Sequence, residues 1–326
     1  MSATRPLIDR VRLLDLHPPR SDFRADVLEG LRQPEKSISP MYFYDAAGSA
    51  LFDAITELPE YYPTRTELAI MDAHLDEMAH LAGPRVSVIE FGAGSGLKTR
   101  KLLAALEDPI AYVPVEISRD FLLESAEVIA EEFPDLEVLP VCADFTRPFQ
   151  LPDPDRMPLR NLVYFPGSTI GNFPRDEARE LLQVMHTEAA EDGALLIGVD
   201  LRKDRATLER AYNDAAGVTA DFNLNLLQRM NRELDANFDL EQFLHEATWN
   251  ANDGRIEMRL VSREPQEVVV AGQTIRFDTG EAILTEYSHK YELDEFAELA
   301  GAANFDVQRV WTDPEKLFSV QLLVRQ

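Results

Sequence analysis

Apolar and polar positions divide the chain into a regular first part and a different second part. In the first part, short apolar runs alternate with segments whose apolar residues recur every three or four positions, the spacing of an amphipathic helix. The apolar runs predict strands at 86–91, 111–115, 136–141, 161–165 and 194–200. The segments between them predict helices from about Leu97, Asp120 and Arg175. This alternation predicts a parallel, doubly wound α/β sheet with right-handed crossovers.

The alternation stops at about residue 202. A long helical stretch to about residue 231 precedes strand-like segments at 244–250, 256–263, 267–270 and 274–278. A helix at 292–302 and two strand-like segments, at 305–311 and 318–324, then predict an antiparallel hairpin that closes the sheet. We therefore expect one domain of residues 64–201 and 292–326, and a smaller α+β domain of residues 1–63 and 202–291.

Two local signals bear on where elements begin and end. Thr64 and Glu67 have the spacing of a capping box ahead of an apolar helical stripe, so the sequence predicts a helix that begins near Thr64. Pro114 has no N–H to donate to a sheet ladder, although its strand is predicted to be interior. We expect either a bulge at Pro114 or the end of the strand.

Charge and cysteine content exclude several functional classes. The 326 residues include 58 acidic and 32 basic side chains, which gives a formal net charge of -26. Such a surface repels a phosphate backbone, so a nucleic-acid substrate is not expected. The lone cysteine, Cys142, excludes an intramolecular disulfide and a Cys-rich zinc site, and no metal site is predicted.

The distribution of apolar residues indicates whether the chain enters a membrane. A hydrophobic content of 45% is enough for a sizeable core. The N-terminal region lacks a continuous apolar segment, and nowhere do about 18 apolar residues follow one another. We therefore expect a soluble, cytoplasmic protein that has no membrane partner. We also expect a monomer.

A glycine-rich loop, Gly92-Ala93-Gly94-Ser95-Gly96, lies between the first predicted strand and the helix that follows it. Glycines at alternate positions let the backbone turn sharply and approach a ligand closely, and the helix offers unpaired N–H groups. A dinucleotide-binding loop reads G-x-G-x-x-G, whereas this G-x-G-x-G loop resembles motif I of S-adenosylmethionine (SAM) methyltransferases. Taken alone, the loop is also compatible with a turn that binds no ligand.

Acidic residues follow the next two strands. Glu116 ends the second strand, where a carboxylate can bind the ribose hydroxyls of a nucleoside cofactor. Asp144 and Phe145 follow the third strand and would supply an acceptor for the adenine amino group and a ring for its face. Each also fits an ordinary strand-end residue. Because the six histidines are scattered and no hydride-transfer motif is evident, SAM fits this constellation better than NAD.

A second glycine-rich segment follows the fourth strand, at the edge of the sheet where open α/β folds bind ligands. It runs from Gly167 through Ser168 to Asn172. Gly167 lets the backbone close on a substrate, and Asn172 offers both a donor and an acceptor. On these residues alone, support of a turn by Asn172 is an equally good interpretation.

Six segments together resemble the histidine-specific Nα-methyltransferase family of ergothioneine biosynthesis. They are 42–45 (YFYD), 58–67 (LPEYYPTRTE), 167–172 (GSTIGN), 210–219 (RAYNDAAGVT), 231–234 (NREL) and 284–288 (LTEYS). The similarity extends from about Phe23 to Arg325. It implies a Rossmann-like, seven-stranded class I SAM methyltransferase sheet with a second, smaller α+β domain. It also implies that SAM donates three methyl groups in turn to the α-amine of L-histidine, giving hercynine.

The resemblance assigns residues to the two ligands. Those implied to contact SAM are Tyr44, Gly92, Gly94, Lys98, Glu116, Asp144 and Phe145. Those implied to contact histidine are Tyr61, Gly167, Asn172, Tyr212, Met258, Glu286 and Ser288. Of these, Tyr61, Asn172 and Tyr212 would hold the α-carboxylate and amine. Glu286 and Ser288 would hold the imidazole, and Met258 would line the same pocket. Family members also have Asp at the position of Glu116, and no catalytic residue is assigned.

The spacing of Glu286 and Ser288 agrees with imidazole binding. Residues two apart on a strand share a face, so a carboxylate and a hydroxyl can engage both ring nitrogens. A solvated strand face is the alternative for this pair. Two further hypotheses stay open: a SAM-dependent N-methyltransferase that acts on another amino acid or small amine, and a SAM-binding protein without catalytic activity.

Overall fold

The computed structural model describes residues 11–18, 22–93 and 96–326 of the chain. The described residues form two compact units. Unit 1 contains residues 11–18, Thr66–Leu201 and Tyr291–Gln326, and unit 2 contains residues 22–65 and Arg202–Lys290. Among the described residues, no helix is both long enough and apolar enough to span a lipid bilayer.

Most elements that the sequence predicts are present, with slightly different bounds. The strands are β1 Leu14–Asp15, β2 Lys36–Ser37, β3 Val86–Phe91, β4 Ala111–Glu116, β5 Glu137–Val138, β6 Val141–Cys142, β7 Arg160–Phe165, β8 Ala194–Asp200, β9 Phe243–Asn250, β10 Arg255–Ser262, β11 Gln266–Val270, β12 Gln273–Phe277, β13 Ala282–His289, β14 Phe305–Thr312 and β15 Phe318–Arg325. The helices are α1 Phe23–Arg32, α2 Ala46–Thr56, α3 Tyr62–Ala82, α4 Leu97–Ala105, α5 Arg119–Glu132, α6 Arg175–Ala189, α7 Arg205–Tyr212, α8 Val218–Glu233 and α9 Leu293–Gly301. Short 3₁₀ turns lie at Pro40–Phe43, Thr169–Asn172 and Leu240–Gln242.

The described part of unit 1 is built on a nine-stranded sheet in the order β1-β6-β4-β3-β7-β8-β15-β14, with β5 also paired to β4. The pairs from β1 to β8 are parallel, whereas β15 is antiparallel to both β8 and β14. Without β1, and with β5 and β6 counted as one interrupted strand, this is the seven-stranded arrangement that the resemblance implies. The predicted parallel sheet and its closing antiparallel hairpin are confirmed.

Helices cover both faces of this sheet. On β3, Val88 belongs to a core cluster with side chains of α3, α4 and α5, whereas its neighbour Ile89 belongs to a cluster with side chains of α6 and α9. Both residues are fully buried, because successive side chains of a strand point to opposite faces. This double burial accounts for the nearly continuous apolar runs in the sequence.

Pro114 lies inside β4, opposite Glu90 of β3, without a shift of register. On its other side, β4 pairs with β5 as far as Tyr112 and with β6 from Val115. Residues 139–140, between β5 and β6, therefore lie opposite Pro114, so its missing N–H falls where the neighbouring ladder is interrupted. The expected bulge or strand end at Pro114 is wrong, and the third predicted strand is two short strands.

Helix α3 begins at Tyr62, so Thr64 lies inside the helix and the predicted capping box is wrong. The Glu67 carboxylate instead accepts the backbone N–H of Gly167 and pairs with Lys98. Tertiary contacts of a buried carboxylate thus outweigh the local capping pattern.

The described N-terminal residues 11–18 belong to unit 1, whereas the sequence places them in the smaller domain. Strand β1 pairs in parallel with β6 and adds an edge strand to the large sheet. A strand of two residues is too short to show a period, so hydropathy does not predict it.

Unit 2 contains a four-stranded sheet in the order β2-β13-β10-β9 and a separate β11–β12 hairpin. The expected long helical stretch is two helices, α7 and α8, separated at residues 213–217. Gly217 precedes α8 with φ +78°, and the Asp214 carboxylate accepts the N–H groups of Val218 and Thr219. These bonds satisfy N–H donors in the first turn of α8, which accounts for the separate start of this helix.

Candidate functional site

In unit 1, the chain turns sharply after β3. Gly92 has φ +72°, and its N–H donates to the Val115 carbonyl at 2.9 Å. A Cβ at Gly92 would lie 3.5 Å from Cε1 of Phe145, an ordinary van der Waals contact, so the positive φ rather than the ring favours glycine at this turn. Gly96, directly before α4, has φ +76°. Gly94 lies outside the described residues.

Carboxylates lie at the carboxyl ends of β4 and its neighbour β6. One Glu116 oxygen accepts the N–H groups of Ile117 and Ser118 at 2.9 and 3.0 Å. Burial raises the pKa of Glu116, and these two hydrogen bonds oppose the rise. One Asp144 oxygen accepts the N–H and the hydroxyl of Thr146 at 3.0 and 2.6 Å. Each carboxylate is therefore oriented by the turn that follows it.

A further carboxylate, Glu90, is buried near the end of β3. The Thr99 hydroxyl lies 2.8 and 2.9 Å from its two oxygens, and the Tyr112 hydroxyl also donates to it. Burial raises the pKa of Glu90 to about 7, although the hydrogen bonds from Tyr112 and Thr99 and the charge of Lys98 lower it. Glu90 thus ties β3 to α4 and β4 on either side of the glycine turn.

Glu67 of α3 is buried and connects two segments that the sequence predicts to bind ligands. Its two oxygens each lie 3.0 Å from the Gly167 nitrogen, and the carboxylate pairs with the Lys98 ammonium. Gly198 of β8 leaves room for this arrangement, because a Cβ there would overlap with the Glu67 carboxylate. Lys98, at the start of α4, and the turn after β7 are therefore held by one residue.

The turn after β7 is tightly constrained. Gly167 and Ser168 have φ +79° and +56°, and a left-handed conformation at a non-glycine residue costs about 1–3 kcal/mol. The Ser168 hydroxyl accepts the Asp200 N–H at 2.9 Å, which ties the turn to β8. Asn172 ends the 3₁₀ turn that follows and is half-buried. Strain of this kind clusters at functional sites in proteins.

In unit 2, three side chains form a hydrogen-bonded triangle. The Tyr212 hydroxyl lies 2.8 Å from Oγ of Ser288, and the Lys290 ammonium donates to these two oxygens at 2.8 and 2.7 Å. All three residues are buried. Lys290 continues the alternation of Glu286 and Ser288 just beyond the end of β13.

Glu286 follows a β-bulge. It is paired with Met258 of β10, whereas the next residue of β10, Arg259, is paired with Leu284. Thr285 is therefore the extra residue, and its hydroxyl donates to the Met258 carbonyl at 3.1 Å. Bulges re-aim the side chains beside them, so this one sets the direction of Glu286.

Glu286 is half-buried, and one cation opposes its charge. Burial raises the pKa of Glu286 to about 7, and the Lys290 ammonium lowers it. Burial raises the pKa of Tyr44, and the charges of Glu286 and Tyr212 raise it further. Although the resemblance assigns Tyr44 to SAM, the residue lies in unit 2 beside residues assigned to histidine.

The backbone of Tyr212 is fixed by β9. Nε2 of His245 lies 2.8 Å from the Tyr212 carbonyl, and Nδ1 lies 2.9 Å from the amide nitrogen of Asn223. Because an amide nitrogen only donates, Nδ1 accepts and Nε2 carries the proton. Burial lowers the pKa of His245, which favours this neutral form. The Asn213 amide adds a second link, pairing with the N–H and carbonyl of Ala247 at 3.2 and 2.8 Å.

Aromatic rings pack around Tyr212. The Tyr61 ring lies edge-on to the rings of Tyr212 and Phe52, with centroids 6.1 and 6.4 Å apart. Tyr44 contacts Phe52 and Phe222 in the same way, at 5.7 and 6.0 Å. Such contacts fix ring orientation, so three tyrosines that the resemblance singles out belong to one aromatic cluster.

The predicted ligand-contact residues divide between the two units. Those in unit 1 are Gly92, Lys98, Glu116, Asp144, Phe145, Gly167 and Asn172, and those in unit 2 are Tyr44, Tyr61, Tyr212, Met258, Glu286 and Ser288. Sequence reasoning missed the supporting residues Glu67 and Lys290. The alternation of polar residues along β13 could have indicated Lys290, whereas the partners of Glu67 lie too far along the chain to form a pattern.

Known proteins resemble this chain over nearly its whole length. The family model described as histidine-specific methyltransferase, SAM-dependent, matches residues 23–325. The chain is 42% identical over 308 residues to the histidine N-alpha-methyltransferase of Mycolicibacterium smegmatis, which covers 93% of this chain and 94% of that protein. It is 40% identical over 308 residues, with the same coverage, to the histidine N-alpha-methyltransferase of Mycobacterium tuberculosis. It is 29% identical over 284 residues to ergothioneine biosynthesis protein 1 of Neurospora crassa, covering 85% of this chain and 32% of that protein.

The matched region includes the glycine turn of unit 1 and the polar residues of β13 in unit 2. The resemblance that six short segments indicate is therefore confirmed over the length of the chain. The chain belongs to the family of SAM-dependent, histidine-specific methyltransferases.

Proposed function

We propose that the protein transfers three methyl groups from SAM to the α-amine of L-histidine, giving hercynine for ergothioneine biosynthesis. The observation that carries this proposal is the polar face of β13 in a member of this family. There a carboxylate, Glu286, and a hydroxyl, Ser288, alternate on the strand, and the hydroxyl is hydrogen-bonded to Tyr212. These groups suit an acceptor that carries an imidazole.

The residues of unit 1 fit the cofactor. Gly92 turns the backbone with a positive φ beside the Phe145 ring, and a glycine there lets the backbone approach a ligand closely. Glu116 and Asp144 supply oriented carboxylate acceptors at the carboxyl edge of the sheet, the edge at which such folds bind ligands. We propose that Glu116 binds the ribose hydroxyls and that Asp144 and Phe145 bind the adenine.

When bound, SAM supplies a methyl group on a sulfonium, and each transfer forms one N–C bond and breaks one S–C bond. Counted from the protonated amine, each transfer also releases one proton, which leaves before the neutral amine attacks. No side-chain nucleophile is needed, so the protein contributes alignment and exclusion of water. The attacking amine must be neutral, although a free α-amine is largely protonated near neutral pH. We propose that Tyr61, Asn172 and Tyr212 orient the amine and the α-carboxylate.

In this proposal, side chains of β13 bind the imidazole. An ionised Glu286 accepts a ring N–H, and Ser288, two residues along on the same strand face, contacts the other side of the ring. Met258, paired with Glu286 across the sheet, is buried and provides an apolar wall. Gly167, whose turn Glu67 fixes, leaves space for an amine that grows with each methylation.

Incubation of the protein with SAM and L-histidine, followed by mass spectrometry, tests the proposal. We expect mono-, di- and trimethylated histidine in succession, with one S-adenosylhomocysteine per transfer. The variant Glu286→Ala should lower turnover of histidine. If Glu286→Ala left the preferred substrate unaffected, the acceptor would be another amine. Unmodified histidine after prolonged incubation would overturn the proposal.

We also propose that the enzyme is a cytoplasmic monomer. The buried, unpaired thiol of Cys142 is compatible with a reducing compartment. Light scattering after size-exclusion chromatography should give the mass of one 36.8 kDa chain, and a larger mass would overturn the monomer. Cell fractionation should recover the protein with cytoplasmic markers, and recovery with membranes or secreted proteins would overturn the location.

A further inference from the structure

We propose that Lys290, acting through the Tyr212 hydroxyl, supplies the positive charge by which the site selects an acceptor that carries a carboxylate. The inference rests on the proposed function and deepens it. It makes Lys290 a positioning residue, because Lys290 acts on the acceptor through another side chain.

The environment of Lys290 differs from that of a surface lysine. The residue is 1% exposed, and a buried ammonium is costly unless it is paired or hydrogen-bonded. Two of its hydrogen bonds go to the hydroxyl oxygens of Tyr212 and Ser288, at 2.8 and 2.7 Å. The fold therefore holds a buried ammonium against these two hydroxyls.

The polarity of these contacts follows from the chemistry of the ammonium. Lysine has three donors and no acceptor, so the oxygens of Tyr212 and Ser288 both accept from it. Their own protons therefore point away from Lys290. A hydroxyl that accepts from a cation becomes a stronger donor, because hydrogen bonds in a chain polarise one another.

The Lys290 ammonium contacts both the hydroxyl and the ring of Tyr212. Besides the hydrogen bond, the Lys290 ammonium lies 4.9 Å from the centroid of the Tyr212 ring. Ser288 holds the ammonium from the strand side and also contacts the Tyr212 hydroxyl at 2.8 Å. When Ser288 donates to the Tyr212 oxygen, the Tyr212 proton is left for a carboxylate, and the positive charge of Lys290 lies behind this polarised O–H.

The same charge balances the site. Glu286 is the acid whose ionisation Lys290 favours electrostatically. A site with Glu286 alone would repel the α-carboxylate of an amino acid. With Lys290 present, the charges of Glu286 and Lys290 cancel, and the Tyr212 hydroxyl donates to the α-carboxylate.

The test compares L-histidine with histamine, which keeps the imidazole and the amine but lacks the carboxylate. In the wild type, the dissociation constant of histidine and the inhibition constant of histamine are measured first. Failure of the wild type to bind or methylate histidine would overturn the proposed function, independently of Lys290.

The variant Lys290→Met removes the charge and keeps the length of the side chain. We expect about 10- to 100-fold weaker histidine binding, the range for loss of a charge-assisted hydrogen bond, with SAM binding unchanged. Histamine binding should fall much less, and only through the weaker ionisation of Glu286. The matched control is Lys36→Met, which removes a mostly buried ammonium paired with Glu281 on the same sheet. This control should leave both constants as in the wild type.

A double-mutant cycle with Tyr212→Phe tests whether the charge acts through Tyr212. Lys290→Met should weaken histidine binding by less than about 3-fold when Tyr212 is already Phe. Equal losses of histidine and histamine binding, or full additivity in the cycle, would overturn the proposal. If Lys290→Met does not fold, Tyr212→Phe decides alone, since wild-type discrimination between histidine and histamine in that variant would also overturn it.

Discussion

The carboxylate of Glu67 receives the backbone N–H of Gly167, with each oxygen 3.0 Å from the nitrogen. The same carboxylate pairs with Lys98, so a single buried residue of α3 holds both the start of α4 and the turn after β7. These are the segments to which the family resemblance assigns SAM contact and histidine contact. A defect at Glu67 should therefore affect both ligands.

Gly198→Ala tests this arrangement without altering a charged residue. The new Cβ would overlap with the Glu67 carboxylate and lie 3.1 Å from the Gly167 nitrogen, so Glu67 must move. We expect a loss of about 1–3 kcal/mol in the free energy of unfolding, the usual cost of overpacking, and weaker binding of SAM and histidine. Urea denaturation and calorimetric titration measure these effects.

The matched control for this prediction is Gly301→Ala. Gly301 ends α9 in the same unit, and an added Cβ would meet nothing within 4 Å. Alanine favours helix over glycine, so this variant should be neutral or slightly stabilised, with normal ligand binding. Normal ligand binding in Gly198→Ala would show that Glu67 does not position the two segments.

The parts of the fold that follow from local patterns are those that the sequence predicts well. Successive residues of β3, such as Val88 and Ile89, are buried on opposite faces, and that double burial produces the apolar run that marks the strand. The capping pattern of Thr64 and Glu67 misleads because Glu67 is used by distant partners. Pro114 misleads because the interruption lies between β5 and β6, opposite Pro114, and not in β4 itself. The sequence does not show which residues of the neighbouring strands lie opposite Pro114.

In the candidate site, too, some residues can be found from local spacing, whereas other features depend on pairing between distant strands. Glu286 and Ser288 can be found from their spacing on a strand, and the same alternation extends to Lys290. The bulge at Thr285, by contrast, depends on the register between β10 and β13. Register is a property of two strands together, so no single segment of sequence reports it.

Ionisation of Glu286 should control the affinity for histidine. Burial raises the pKa of Glu286 to about 7, and only the ionised carboxylate accepts without also donating. In the free enzyme, kcat/KM for histidine should therefore fall as the pH drops through about 7. Glu286→Gln should lower kcat/KM and remove this contribution to the acid limb.

The substrate histidine titrates in the same way with every variant. The effect of Glu286 is therefore the difference between the pH profiles of kcat/KM for the wild type and for Glu286→Gln. Glu246→Gln is the control, because Glu246 is exposed on β9 of the same sheet. It should reproduce the wild-type profile. An unchanged acid limb in Glu286→Gln would assign that limb to the substrate rather than to Glu286.

Glu90 should make stability depend on pH in the direction opposite to that of a salt-bridged acid. Burial raises the pKa of Glu90 from 4.5 to about 7. The folded state thus favours the protonated acid, and the stability from this group is fully present below pH 4.5 and is lost as the pH rises through about 7. In Glu90→Gln the side chain is neutral at all pH values, so this decrease in stability at high pH should be absent.

Urea denaturation at pH 5 and pH 8 measures the effect. Relative to wild type, Glu90→Gln should gain up to about 3 kcal/mol between the two pH values, since one pKa unit corresponds to about 1.4 kcal/mol. The exposed Glu177→Gln on α6 should show no such gain. A difference between Glu90→Gln and wild type that stays constant with pH would contradict the prediction.

His245 should matter for histidine binding although it donates only to a backbone carbonyl. Its neutral ring donates from Nε2 to Tyr212 and accepts at Nδ1 from Asn223. His245→Ala leaves the Tyr212 carbonyl without this donor, so we expect about 1–3 kcal/mol lower stability and a raised KM for histidine, with SAM affinity unchanged. His80→Ala, at an exposed position of α3, serves as the control.

The same ring adds a pH dependence of defined sign. Burial lowers the pKa of His245 below 6.5, so its stabilising contribution is present above pH 6.5 and is lost as the pH falls through the folded-state pKa. Protonation would place an N–H at Nδ1 against the donating amide of Asn223. Between pH 8 and pH 5 the melting temperature of the wild type should therefore fall further than that of His245→Ala, and parallel curves would show that His245 does not titrate in the folded protein.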